Sequence, residues 1–63
     1  MCLATVYGKK QDSESILIKN ASRIDVDGTT ICIRDIMGQE ITVEGAITFV
    51  DLANSVVKIN CAE

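Results

Sequence analysis

The sequence predicts an all-β fold: a small antiparallel barrel, SH3-like or Sm-like, with about six or seven short strands. Short runs rich in β-branched residues alternate with turn signals roughly every eight to twelve residues. Asp27-Gly28 also stands between two strictly alternating segments, at residues 23–26 and 30–34, as in a β-hairpin. With only 63 residues, the chain is predicted to form a single domain over 1–63.

The hairpin is predicted to close with a type I′ turn, because Asp27 and Gly28 both tolerate positive φ angles. Gly45 is interpreted as a break between two strands. A helix over 46–57 is an alternative, but Thr48 and Phe49 are strand formers and no N-cap precedes them. The other predicted strands are residues 2–7, 15–19, 40–44, 46–51 and 55–60, with a polar loop at 8–13 and turns at 37–39 and 53–54.

Strand parity predicts which side chains face inward. One of Ile16, Leu17 and Ile18 should do so. The remaining predicted inward residues are Ile24, Val26, Ile31, Ile33, Ile41, Val43, Ile47, Phe49, Val57 and Ile59. A domain this small buries only about 60% of its unfolded surface, and its aliphatic residues exceed what one barrel can hide. An exposed apolar strip and a homodimer are therefore expected.

The composition argues against a conventional enzyme, because a chain without histidine lacks the usual general base and metal ligand. No apolar run approaches the roughly 18 residues of a membrane span, so a soluble, cytoplasmic protein is expected. The three cysteines form no C-x-x-C pair, which argues against a disulfide framework and a zinc knuckle. A net charge of −3, with only Tyr7 and Phe49 available for base stacking, makes nucleic acid an unfavourable partner.

Cys2 is chemically distinctive because it adjoins the chain terminus. Its thiolate, its backbone nitrogen and the terminal amine can close five-membered chelate rings on one metal ion. Thiolate and nitrogen ligands in a square plane favour nickel(II) or copper(II), and nickel(II) is the preferred prediction. The structural alternative is that Cys2 is a small apolar residue at the start of an edge strand.

The other sulfur-containing side chains are interpreted as structural first. Parity places Cys32 on the outer or interface face beside Arg34. Cys61 has the phase of the last strand and is expected to be a free thiol near a fraying end. Metal binding by Cys32 or Cys61 remains an open alternative, whereas Met37, beside a turn glycine, is expected to be a surface or interface residue.

Several motifs together resemble the CooT family, small nickel-binding accessory proteins of carbon monoxide dehydrogenase maturation. They are the start Met1-Cys2-Leu3-Ala4, the alternating segment around Asp27-Gly28, the stretch Gly45-x-Ile47-x-x-Val50-Asp51-Leu52 and the final aliphatic strand. The resemblance implies a homodimer of small β-barrels with one nickel(II) at the interface, held by the N-terminal cysteine of each chain. Only Cys2 carries over as a ligand, with Met1 contributing backbone nitrogen; Cys32 and Cys61 are outside the motif.

The leading hypothesis is therefore a nickel(II)-binding accessory protein or metallochaperone, not an enzyme, with its metal site at Cys2 and Met1. A nickel enzyme or its maturation factors would be the partner. The alternative is a small Sm-like or SH3-like RNA- or protein-binding module, and a structural subunit of a larger enzyme is a third interpretation.

Overall fold

The computed structural model describes residues 3–62. These residues form five strands that neighbour one another in chain order and close into a barrel. The strands are β1 (Ala4–Lys10), β2 (Ser13–Asp27), β3 (Thr30–Asp35), β4 (Glu40–Asp51) and β5 (Val56–Cys61). The all-β prediction is confirmed, and the region where a helix was the alternative holds the end of β4, a turn and the start of β5. No helix of the described residues is long and apolar enough to cross a membrane.

The described strands number five, not six or seven, because β2 and β4 each span two of the predicted strands. β2 is 15 residues long and pairs first with β1 and then with β3. Its pairing register shifts on both sides of Ala21, and Asn20 has a φ of 58°. Such a β-bulge bends a strand without ending it. The break predicted between residues 19 and 23 is therefore a bend within β2.

β4 also continues through Gly45, where the sequence predicts a break. Gly45 pairs with Cys61, and its N–H donates to the Thr29 carbonyl at 2.8 Å. A Cβ placed on Gly45 would lie 2.2 Å from the backbone oxygen of Asn60. Glycine is needed here because two backbones approach closely, so the prediction of a strand break was wrong.

Four strand pairs are antiparallel, but β1 and β5 are parallel, from Thr5 opposite Val56 to Lys9 opposite Asn60. The purely antiparallel barrel of the prediction therefore needs correction. In a closed sheet whose consecutive strands alternate in direction, an odd number of strands makes the first and last strands parallel. The SH3-like or Sm-like assignment remains a prediction.

Two hairpins, β1–β2 and β2–β3, close at other residues than the sequence predicts. Lys10 pairs with Ser13, so most of the predicted loop 8–13 belongs to strands. In the second hairpin Asp27 pairs with Thr30, which leaves Gly28-Thr29 as the two-residue connection. Within residues 3–62, Gly28 has a φ of 62° and neither Asp27 nor Thr29 has a positive φ. The type I′ prediction was wrong, because a single positive φ at a leading glycine is the pattern of a type II′ turn.

The core is aliphatic, and most of its predicted members are confirmed. Val26 and Phe49 are exceptions, 57% and 48% exposed. Val26 lies near the tip of the β2–β3 hairpin, and a register shift between Ile47 and Phe49 turns Phe49 to the outer face opposite Lys58. Val6 and Ala21 are buried but were not predicted. The buried residues are Val6, Ile18, Ala21, Ile31, Ile33, Val57 and Ile59, with Ala4, Leu17, Ile24, Ile41, Val43, Ile47 and Cys61 packed against them.

Candidate functional site

The predicted nickel ligands, Met1 and Cys2, lie outside the described residues. The structure does describe the place from which the chain enters the barrel. β1 begins at Ala4, which pairs with Ala21 of β2. On its other side, the N–H of Thr5 donates to the Ser55 carbonyl at 2.9 Å.

Two turns flank the start of β1. The turn 52–55 is joined to it through the hydrogen bond between Thr5 and Ser55. The turn 36–39 follows Asp35, which pairs with Ala21, the same residue that pairs with Ala4. We call this end of the barrel, formed by the start of β1 and the turns 36–39 and 52–55, the amino end.

Large apolar side chains are exposed at the amino end. Met37 is 82% exposed, Leu52 79% and Ile36 51%. Single exposed apolar residues are ordinary on protein surfaces, whereas a group of them at one place marks a contact surface. Exposed apolar side chains therefore lie on both turns of the amino end, and that they form one continuous strip stays a prediction.

The side chain of Asp35 orders the first of these turns. Its Oδ1 accepts hydrogen bonds from the backbone N–H groups of Met37 and Gln39, both at 2.9 Å. Gly38 adopts a φ of 88° within the same turn. Because aspartate hydrogen-bonds readily to the backbone that follows it, an Asp three residues before a glycine is a sequence signal for this turn. Asp35 is not among the residues singled out above from the sequence for this role.

Asp51 orders the second turn in a similar way. Its Oδ1 accepts from the backbone N–H groups of Ala53 and Asn54, at 3.1 and 3.2 Å, and its Oδ2 accepts from Asn54 Nδ2 at 2.8 Å. The hydrogen bonds from Asn54 lower the pKa of the Asp51 carboxyl, because they favour its charged form. Both turns at the amino end are thus fixed by local hydrogen bonds, which hold the positions of Met37 and Leu52.

Cys32 and Cys61 occupy different surroundings. Cys32 lies between the buried Ile31 and Ile33 and so points to the outer face, as predicted. Cys61 has the inward phase and packs against the core. Both thiols are free and half-buried. Within residues 3–62, no three cysteine, aspartate or glutamate side chains come close enough to hold a metal ion.

The acidic residues of the outer face pair with neighbouring arginines. Arg23 Nε lies 3.0 Å from Asp25 Oδ2, and Arg34 bonds to Glu40 through both Nε and Nη2. The hydrogen bond and charge of Glu40 raise the pKa of Arg34. All four side chains are well exposed, so these are surface ion pairs of small energetic value, as expected for a solvated strand face.

Tyr7 and Phe49 lie on the same outer face with Lys58 between them, which the sequence did not predict. Tyr7 pairs with Ile16 on one side and Lys58 on the other, and Lys58 in turn pairs with Phe49. The ammonium of Lys58 lies 5.5 Å from the centroid of the Phe49 ring, a cation–π distance. We call these four side chains, Ile16, Tyr7, Lys58 and Phe49, the aromatic row.

The described residues define a small all-β protein with a closed five-stranded sheet. The chain belongs to the CooT family, because the family model described as CO dehydrogenase accessory protein CooT matches residues 1–60.

The fold is also that of a solved relative. A crystal structure of a protein from Carboxydothermus hydrogenoformans, described as a candidate CooT, superposes with a TM-score of 0.86. The match covers 98% of this chain and 100% of the other, at 14% sequence identity. At that identity the likeness establishes the fold alone. No match was found among curated proteins.

Proposed function

We propose that this protein is a nickel(II)-binding accessory protein that carries the ion to a carbon monoxide dehydrogenase or to its maturation factors. The observation that carries the proposal is the family match over residues 1–60, which includes the start Met1-Cys2-Leu3-Ala4. Nickel is the cargo, and the protein performs no chemistry on it.

The donor set at the start of the chain suits nickel(II). A Cys2 thiolate with the Cys2 amide nitrogen and the Met1 amine forms chelate rings in a square plane, an arrangement that nickel(II) accepts and zinc does not. The proposal is supported by the lack of a competing cluster of metal ligands within residues 3–62. Ligands at a chain terminus exchange with a recipient protein without unfolding the core.

We propose further that two chains form a homodimer at the amino end, so that both Cys2 thiolates reach one ion. The support is the exposure of Ile36, Met37 and Leu52 around the start of β1. Asp35 and Asp51 order the backbone of the turns that carry these residues. Little conformational entropy of the backbone would therefore be lost on association. The small core of a 63-residue domain also favours association.

Equilibrium nickel titration of the purified protein tests the site. Cys2→Ser should abolish tight binding and the near-ultraviolet charge-transfer band between sulfur and nickel, while the far-ultraviolet circular dichroism stays unchanged. Cys32→Ser and Cys61→Ser are matched controls and should retain both. Because the ligands must lose protons, binding should weaken as the pH falls toward about 5. Wild-type affinity in the Cys2 variant, with loss in one of the others, would place the metal elsewhere.

The aromatic row favours a second candidate, the RNA-binding module. Aromatic side chains on an open sheet face stack unpaired bases, and Lys58 supplies a positive charge between Tyr7 and Phe49. The net charge of −3 opposes it. The single tyrosine gives a direct assay, because a bound base would quench its fluorescence. Saturable quenching by single-stranded RNA that Phe49→Ser weakens would support this candidate, and no quenching would reject it.

A further inference from the structure

A cleft of about 560 Å³ opens where β1 ends and β2 begins, away from the start of β1. The β1–β2 hairpin forms one wall, and the middle of β4 with the end of β5 forms the other. The lining residues that matter here are Lys10, Ser13, Ser15 and Leu17 from the hairpin, and Val43 and Cys61 from the other wall.

The cleft arises because the inner face of the hairpin changes from apolar to polar. Side chains alternate along β1, so Gly8 and Lys10 share the inward face of the buried Val6. Their partners on β2 are Ser15 and Ser13. The inner face that packs as core at Val6 therefore carries hydroxyl and ammonium groups farther along the hairpin.

The floor of the cleft is apolar. Leu17 lies directly against Gly8, where a Cβ would come within 2.7 Å of its Cδ1 atom. Leu17, Val43 and Cys61 are half-buried and pack against the core. An apolar floor with a few polar groups at the rim, at the mouth of a β-barrel, is the usual form of a small-molecule site, and the volume is within the usual range.

Lys10 and Glu44 are the two ionisable side chains among the lining residues that the structure describes apart from the Cys61 thiol, and Lys10 stands on the hairpin wall. Lys10 faces inward, whereas its neighbour Lys9 pairs with Glu14 on the outer face. Glu44 borders the cleft from β4, and its carboxylate accepts hydrogen bonds from the hydroxyls of Thr29 and Thr30, at 3.1 and 2.8 Å, which direct it toward the β2–β3 hairpin and not toward Lys10. Of the ion pairs formed within residues 3–62, none includes Lys10.

We propose that this cleft binds a small organic anion, a monocarboxylate with a short apolar chain. The carboxylate is held by the ammonium of Lys10 and the hydroxyls of Ser13 and Ser15, and the chain lies on Leu17 and Val43. The site is separate from the proposed nickel site and does not depend on it.

Titration of the full-length, metal-free protein with hexanoate tests the proposal by nuclear magnetic resonance of the backbone amides. Saturable shifts are expected in the hairpin and around Val43 and Cys61. Hexanamide has the same chain without the charge, and acetate has the charge without the chain; both should bind about tenfold more weakly or worse. Lys10→Gln should weaken hexanoate by about the same factor. Lys9→Gln is the matched control, one residue away on the outer face, and should change nothing.

The thiols give an independent readout. Hexanoate should slow the alkylation of Cys61, which lines the cleft. The alkylation rate of Cys32, which lies on the outer face, should not change. Peptide mass spectrometry follows both rates. Three results would overturn the proposal: no saturable shifts, equal binding of hexanoate and hexanamide, or equal loss in the Lys9 and Lys10 variants. The amide spectra also show whether each variant is folded. If a variant unfolds, the comparison of hexanoate with hexanamide and the alkylation rates, both measured on the wild-type chain, test the proposal instead.

Discussion

Gly45→Ala should destabilise the protein severely, although it adds only a methyl group. The new Cβ would lie 2.2 Å from the Asn60 oxygen, about 1.2 Å closer than the 3.4 Å at which ordinary contact begins. The obstructing atoms belong to the backbone of β5, so relief requires β4 and β5 to separate where Gly45 pairs with Cys61. Overpacking typically costs about 1–3 kcal/mol, and we expect the upper end, about 3 kcal/mol. A core of this size supplies only about 3–5 kcal/mol in total.

Urea unfolding followed by circular dichroism measures this loss. With a slope near 1 kcal/mol per molar urea, the midpoint should fall by about 3 M, or the variant should be largely unfolded in buffer. Gly28→Ala is the control, because a Cβ there meets nothing within 4 Å and only the φ of 62° opposes it. That strain is worth about 1 kcal/mol. A midpoint shift in Gly45→Ala no larger than in Gly28→Ala would refute the close-approach argument.

Three further predictions concern the turns and the core. Asp51→Ala should lower stability at pH 7. The difference in stability between this variant and wild type should shrink as the pH falls through the lowered pKa of the Asp51 carboxyl, because protonation of wild type removes the charged acceptor that the variant lacks. Urea midpoints across about pH 2–7 measure this difference. Ile33→Val removes one methylene group at a fully buried site and should lower the free energy of unfolding in urea by about 1 kcal/mol. Val26→Ala removes more carbon atoms, but it should lower that free energy by only about 0.5 kcal/mol or less because Val26 is exposed. If the dimer forms at the amino end, Met37→Ser and Leu52→Ser should each shift light scattering toward the monomer mass without changing the circular dichroism; an unchanged mass would move the interface elsewhere.

The strand content and the turns after β2, β3 and β4 could be predicted from the sequence, but the places where a strand bends without ending could not. Alternation of apolar and polar residues identifies Ile31 and Ile33 as inward-facing, because it reflects one sheet face packed on a core. A bulge interrupts this alternation as a turn does, so the bend near Asn20 looked like a gap between strands. The shift before Phe49 likewise moved that side chain to the opposite face, which no single-strand pattern reveals.

The sequence predicts which residue types would form the candidate site, but not what surrounds them in the fold. Cys2 is identified by its position beside the chain terminus, which needs no fold. The surroundings of the start of β1 depend on the closing of the barrel, which brings the turns with Met37 and Leu52 to it. These contacts join residues far apart in the chain, so local patterns carry no information about them. The same holds for the aromatic row and for the cleft beside Lys10.

The stretch Gly45-x-Ile47-x-x-Val50-Asp51-Leu52 contains residues of two physical kinds. Gly45 permits the close approach of β5, Ile47 packs against the core and Asp51 orders a turn, so folding alone requires them. Leu52 is 79% exposed, and an exposed leucine adds little to the stability of a single chain. Its place beside the start of β1 suits the dimer contact proposed above. Gly45→Ala should therefore lower the folded fraction and leave nickel binding per folded chain unchanged, whereas Leu52→Ser should weaken association, and with it any site shared between two Cys2 thiolates, while the fold persists.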